Sequence, residues 1–252
     1  MHNIPILLIL LQLLIGPTSF SDQTDVAPEP FVLREEIPVL MYHEIGTPSG
    51  PWKELYVEPE TFAKQLDWLK DNGYATVGLS DVYNHWYHEK PLPKKPIVLT
   101  FDDGYRSMYE IVMPLLLARE MQATFFLYPS KFNTPTGLTP EMVQELSDNG
   151  MEIGSHTLTH NDLTKISETE LTKELADSKR YLEEITKTPI DFLCYPAGQF
   201  NKQVIEESKK AGYLGAVTTQ MGKATHTQDS FQWKRVRINY SDGLNGFIKK
   251  IP

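Results

Sequence analysis

The stretch "VLTFDDGY", Val98 to Tyr105, runs an apolar strand straight into two adjacent carboxylates, a glycine and a tyrosine. Side chains alternate in direction along a strand, so neighbours at its end are aimed apart, and the glycine releases the chain into a turn. Asp102 and Asp103 should therefore have different jobs. Taken alone, the pair also suits an ordinary solvated Asp-Gly turn, so the residues on either side have to decide.

Outward from this stretch, β-like and helix-like segments alternate from about Ile37 onward. Short strands are expected at "PVLMYH" (38–43), "YATVG" (74–78), "IVLTF" (97–101), "ATFFLY" (123–128), "MEIGS" (151–155), "DFLCYP" (191–196), "LGAVTT" (214–219) and "WKRVRIN" (233–239). Helix punctuation falls between them. A helix from about Thr61 to Asn72 is closed by Gly73, Thr139 and Pro140 cap a helix that stops at Gly150, Ser167 and Glu170 form a capping box, and Gly212 ends a further helix. Short strands alternating with helices in one chain imply a parallel barrel whose sites lie at the carboxyl ends of the strands.

The 252 residues are 40% hydrophobic, ample for a packed core. A formal net charge of -9 without a long basic run speaks against a nucleic-acid partner or an anionic membrane surface and leaves glycans open. The N-terminal "MHNIPILLILLQLLIGPTSFSD" is apolar, and its dense core from Ile4 to Ile15 is shorter than the roughly 20 residues that span a bilayer. Ser19, Phe20 and Ser21 give a small-x-small exit, so residues 1–21 are expected to be an export signal cleaved after about Ser21. Because no Lys or Arg precedes the apolar run, an uncleaved anchor is the alternative. Residues 22–36, "DQTDVAPEPFVLREE", are expected to be a polar linker, and residues 37–252 the catalytic domain. The expected location is secreted or cell-surface, with the membrane touched only through an uncleaved N-terminus, and the expected state is a monomer. Cys194 is the single cysteine, so no intramolecular disulfide forms.

Two strands beyond the opening stretch, "EIGSHTLTHNDL" places His156 and His160 four residues apart. In a helical or tight-turn conformation both imidazoles face one way, as two ligands of one metal do. Two histidines and one aspartate, each delivered by a strand end, would make a three-ligand metal site with an open position for water. One carboxylate would then bind metal and the other act as base; chemistry alone does not say which.

With "TFDDG" followed by "SHTLTH", the chain from about Ile37 to Asn239 resembles the polysaccharide deacetylases, the NodB-homology carbohydrate esterases, and the branch that includes extracellular poly-N-acetylglucosamine deacetylases. The resemblance implies an α/β fold of the distorted (β/α)7-barrel type and a zinc or other divalent transition-metal cofactor. It implies Asp102 as general base and Asp103, His156 and His160 as metal ligands. The family's third motif is matched by "CYPAG", which implies substrate contacts at Tyr195, Pro196 and Ala197, with the Ala197 amide helping to hold the oxyanion.

The sequence also departs from the pattern. Cys194 stands where the family often has an arginine paired with the base, and Arg235 is the expected substitute, with Arg237 on the same strand face behind it. The late histidine that supplies the general acid is missing, and "PVLMYHEIG" resembles the branch in which a histidine of that segment takes the role, here His43. Asp229 and Trp233 only weakly echo a fourth motif, and His85 and His88 are expected on a surface helix rather than in a site. The activity implied is hydrolysis of acetyl groups on N-acetylated glycan. A non-catalytic glycan-binding protein on the same fold and an O-acetyl xylan esterase are the alternatives. A glycosidase is disfavoured because its two carboxylates must flank the scissile bond some 5 to 10 Å apart. The sequence does not choose among peptidoglycan, poly-N-acetylglucosamine, chitin-like oligomers and acetylated xylan.

Overall fold

The strand-forming segments are short, apolar and almost wholly buried, and in the computed structural model, which describes residues 31–251, seven of them close into one ring. The expected signal or anchor at 1–21 and residues 22–30 of the expected linker lie outside the described residues. The ring strands are β1 (Val39–Tyr42), β2 (Pro96–Phe101), β3 (Thr124–Leu127), β4 (Glu152–Ser155), β5 (Phe192–Cys194), β6 (Gly215–Met221) and β7 (Trp233–Arg237). Each pairs in parallel with the next, and β7 pairs with β1 to close the ring. This is the distorted (β/α)7 barrel.

Alternate strand residues face opposite ways, which divides the core in two. Val39, Val98, Phe126, Cys194, Val217 and Trp233 belong to the inner cluster, while Leu40, Leu99, Phe125, Leu127, Leu193 and Val236 pack outward against the helices. The interior is tight at Gly154, where a Cβ would stand 2.5 Å from the Phe126 ring, so only glycine fits.

The surrounding helices are α1 (Pro59–Asp71), α2 (Leu79–His88), α3 (Met113–Leu117), α4 (Pro140–Asp148), α5 (Glu168–Thr186), α6 (Lys202–Lys210) and α7 (Gly243–Lys250). The caps fall where the sequence places them. Thr139 Oγ1 accepts the Met142 amide, and Ser167 and Glu170 bond reciprocally. Asn201 caps α6 through the Val204 amide.

Three expectations change. The eighth strand, expected at 74–78, is reduced to Ala75–Thr76. It pairs only with Pro96–Ile97, the start of β2, whereas β3 pairs with Thr100–Phe101 further along, so the short segment flanks the ring without entering it. The end of the expected linker is also part of the folded body. The Arg34 amide donates to His85 Nε2, Trp86 Nε1 donates to the Arg34 carbonyl, and Glu36–Ile37 pairs with Ala224–Thr225. His85 is therefore a buried structural residue, with its Nδ1 on the Lys90 carbonyl, and not a surface one.

Candidate active site

The residues that follow β1, β2, β4 and β5 meet at one end of the barrel, and inward-facing residues of β2 and β7 reach them from below. Thr100 and Asp102 share the inner face of the β2 segment by strand alternation, as Arg235 and Arg237 share that of β7. Arg235 is fully buried. Its guanidinium donates to both Asp102 oxygens at 2.8 and 2.7 Å, to Thr100 Oγ1 and the Thr218 carbonyl at 2.9 Å, and to Cys194 Sγ at 3.2 Å. Five contacts match the five donors of the side chain. Burial pushes the Asp102 carboxyl up, but the charge and hydrogen bonds of Arg235 outweigh it and hold the group below its ordinary value. Of the two arginines the sequence offers as partner for Asp102, the geometry selects Arg235; Arg237 lines the open cleft instead.

Asp103 turns the other way. It sits at φ 80° before Gly104 at φ 66°, and its Oδ1 lies 3.4 Å from Nε2 of both His156 and His160. Burial would raise its pKa, and the two imidazoles more than reverse this, leaving it well below the usual carboxylate range. The His156 Nδ1 is 2.7 Å from the Cys194 carbonyl and donates to it, which leaves Nε2 as a lone-pair donor. The histidine segment is not helical. Thr157 and His160 adopt φ 67° and 64°, and the two rings stand nearly perpendicular, 4.6 Å apart. Glu174 of α5 holds this turn by accepting the Leu158 and Thr159 amides, both at 2.9 Å. Left-handed conformations at Asp103, Thr157, His160 and Ala197 thus gather at one rim, the kind of local strain that a surrounding structure maintains at functional sites.

The donor set suits a divalent transition metal. One ligand atom from each of Asp103, His156 and His160 lies within 4.8 Å of the others. Asp102, His156 and Cys194 also lie close together, but both Asp102 oxygens are engaged by Arg235, and burial pushes the Cys194 thiol up, away from the thiolate that a metal prefers.

His43 follows β1 and places Nε2 4.0 Å from Asp102 Oδ2. Its Nδ1 is buried with no hydrogen-bond partner among the described residues. Burial lowers its pKa, and the charges of Asp102 and Asp103 draw it partly back. These groups open into a cleft of about 470 Å³ that Trp52, Leu55, Tyr105, Ala197, Thr219 and Arg237 also line.

The residues expected to touch substrate behave unequally. Ala197 is exposed in the cleft at φ 51°. Tyr195 lines the cleft but its ring is fully buried, stacked on Phe200 with its hydroxyl donating to the Phe231 carbonyl, and Pro196 is buried as well. The side chains of Tyr195 and Pro196 therefore shape the turn from below. Gly198 completes it, since a Cβ there would stand 2.0 Å from Thr219 Oγ1. Asp229 caps a turn through the Phe231 amide, and Trp233 is buried in the inner core, so neither belongs to this cleft.

Trp52, Leu55 and Thr219 were not legible as site residues. Trp52 and Leu55 arrive on a loop that carries no motif, and Thr219 sits in a strand whose inward face looks like its neighbours.

A family model described as polysaccharide deacetylase matches residues 89–216. The Bacillus subtilis protein YxkH is 31% identical over 211 residues, covering 84% of this chain and 74% of that one. The poly-beta-1,6-N-acetyl-D-glucosamine N-deacetylase of Escherichia coli K12 is 26% identical over 256 residues, but the match spans only 38% of its length and 84% of this chain. The Streptococcus pyogenes deacetylase PplD, solved in complex with acetate, superimposes with a TM-score of 0.81 at 28% identity, covering 86% of this chain and 98% of that one.

Proposed function

The chain belongs to the polysaccharide deacetylase family, and on that premise we propose that it hydrolyses acetamides on an N-acetylated extracellular or cell-wall glycan, using a divalent metal held by Asp103, His156 and His160. The observation that carries this reading is the division of two adjacent carboxylates: Asp102 is locked on Arg235 and kept ionised, while Asp103 faces two histidines. A metal in that cluster, zinc by its ligand set, would acidify water and polarise the acetamide carbonyl.

The chain's own residues supply the rest. Asp102 takes the proton from the attacking water, and Arg235 fixes the carboxylate's direction and charge while it does so. His43 delivers a proton to the departing nitrogen, so that acetate and a free amine leave. The Ala197 amide, in the same cleft, is assigned to the developing oxyanion. The N-acetyl preference is supported by the name of the Escherichia coli relative, and the apolar N-terminal run supports action outside the cell, secreted or tethered.

Acetate release from poly-β-1,6-N-acetylglucosamine, peptidoglycan glycan, chitin oligomers and acetylated xylan tests this. Release from an N-acetylated member, lost on chelation and restored by zinc, is expected. Release from acetylated xylan alone would make the protein an O-acetyl esterase.

A further inference from the structure

Once Arg235 is committed to Asp102, one cation in the cleft has no counterpart. Arg237 is two residues further along β7, on the same face, half-buried in the cleft wall. Among the described residues no carboxylate lies within 4 Å of its guanidinium. The acid of the following loop, Asp242, is taken by Lys250 Nζ and by the Asn239 amide, while Lys250 Nζ also donates to the Arg237 carbonyl at 2.9 Å. The carboxylates that face the same space are both engaged, Asp102 by Arg235 and Asp103 by the two histidines.

The wall around Arg237 is built as one piece. Trp52 lines the same cleft with 71% of its surface exposed. The segment that carries it is clasped to the chain just beyond Arg237: Ser241 donates from its amide and hydroxyl to Glu54, Lys53 lies 4.0 Å over the Tyr240 ring, and Tyr240 donates to Glu58. A flat apolar face and an unpaired guanidinium are thereby presented together, beside the groups that act on the acetamide. A half-buried guanidinium with open donors takes a planar or tetrahedral anion through paired charge-assisted hydrogen bonds.

We infer that Arg237 is the anion-recognition residue of the cleft, receiving a carboxylate or phosphate carried on or next to the sugar whose acetamide is hydrolysed, so that the preferred substrate is an anionic N-acetylated glycan. The inference rests on the deacetylase reading for turnover but not for binding.

Three tetrasaccharide probes of equal length test it: an unmodified N-acetylglucosamine oligomer, one bearing lactyl-ether carboxylates on alternate sugars, and one bearing a phosphate ester. Acetate release is measured for the otherwise unaltered protein, R237Q and R237K, and binding is measured by calorimetry with each paired with D102N. The Arg237 protein is expected to favour one anionic probe over the neutral one by about 10- to 100-fold, in KM and Kd rather than kcat. The favoured arm tells carboxylate from phosphate. R237Q should collapse that ratio, and R237K should restore part of it, because lysine keeps the charge but not the fork. Equal affinity for neutral and anionic probes, or a preference that survives R237Q, overturns the inference. An anionic binding preference without turnover on any probe supports it and counts against the deacetylase reading instead.

Discussion

Two acids project into this barrel from opposite ends, and they have been given opposite electrostatics. At the base, Glu152 begins β4 and takes its hydrogen bonds from neutral donors: the Leu79 amide at 2.7 Å, the Ser80 amide at 2.9 Å, the Ser80 hydroxyl and the Thr124 hydroxyl. Burial is the stronger influence there, and the carboxyl is pushed above its ordinary value. At the mouth, Asp102 is almost fully buried where Glu152 is half-buried, yet it meets a guanidinium with both oxygens and is held below its ordinary value. Hydrogen bonds alone satisfy a buried acid; a counter-charge keeps it ionised and therefore usable as a base. Glu152 pins the first turn of α2 to the barrel floor, whereas Asp102 is aimed at the cleft.

The largest effect that would sharpen this contrast comes from His43, the acid proposed opposite Asp102. His43→Ala should retain fold and metal yet lose about 100-fold or more of kcat on an acetamide, with a much smaller loss on a phenyl acetate, whose leaving group departs without a proton. Its alkaline pH limb should vanish with it. In the metal-free protein the His43 imidazole should titrate below its ordinary value by NMR, and lower still in Asp102→Asn, because that change deletes a negative charge that favours the imidazolium. Equal losses on both substrates would give His43 a structural role.

Arg235→Met would leave Asp102 buried without its counter-charge. A loss of about 3 to 5 kcal/mol in denaturant unfolding is expected at neutral pH, together with most of the activity. The sign with pH follows from linkage. Paired with arginine, Asp102 has a depressed folded pKa and adds stability above its unfolded pKa, lost as pH falls through the folded one; unpaired, its folded pKa rises, so the variant's deficit should shrink as pH falls. A deficit independent of pH would break the argument that Arg235 acts through the charge of Asp102.

At the base, Glu152→Gln keeps the shape of the acid and should cost only about 1 to 3 kcal/mol of stability while leaving kcat within a few-fold. A loss of catalysis comparable to that of an Asp102 variant would erase the distinction between the two ends. Smallest of all, Cys194→Ser replaces a buried thiol whose raised pKa makes it a poor nucleophile, so activity should stay within about tenfold, with a modest drop in melting temperature. Complete loss in a folded, metal-loaded variant would instead point to a catalytic thiol.

Much of this was legible in the sequence because its signals are local. Strand-end carboxylates, a pair of histidines four residues apart and helix caps such as Ser167 with Glu170 each declare themselves within a few residues. The short flanking segment at Ala75–Thr76 was not distinguishable from a ring strand, since its composition matches and only its pairing with Pro96–Ile97 shows that it stops short. His85 read as a surface residue because its burial depends on Arg34, some fifty residues away in sequence. Tyr195 and Pro196 lie in the motif but point beneath the rim, an orientation set by the left-handed turn at Ala197 and by Phe231. The choice between Arg235 and Arg237 likewise needed the third dimension, because one inward-facing step along β7 separates the partner of Asp102 from the cleft wall.

The account stands most directly on how the two adjacent aspartates divide the work, and a single paired measurement reads it: metal content by elemental analysis and acetate release from an N-acetylglucosamine oligomer, on the same preparations of Asp102→Asn and Asp103→Ala. Asp102→Asn should hold about one transition metal per chain and lose turnover by about 100-fold or more, while Asp103→Ala should lose both metal and turnover. If the two variants behaved alike, or if metal-free protein released acetate at the full rate, the division of labour between Asp102 and Asp103 would be contradicted.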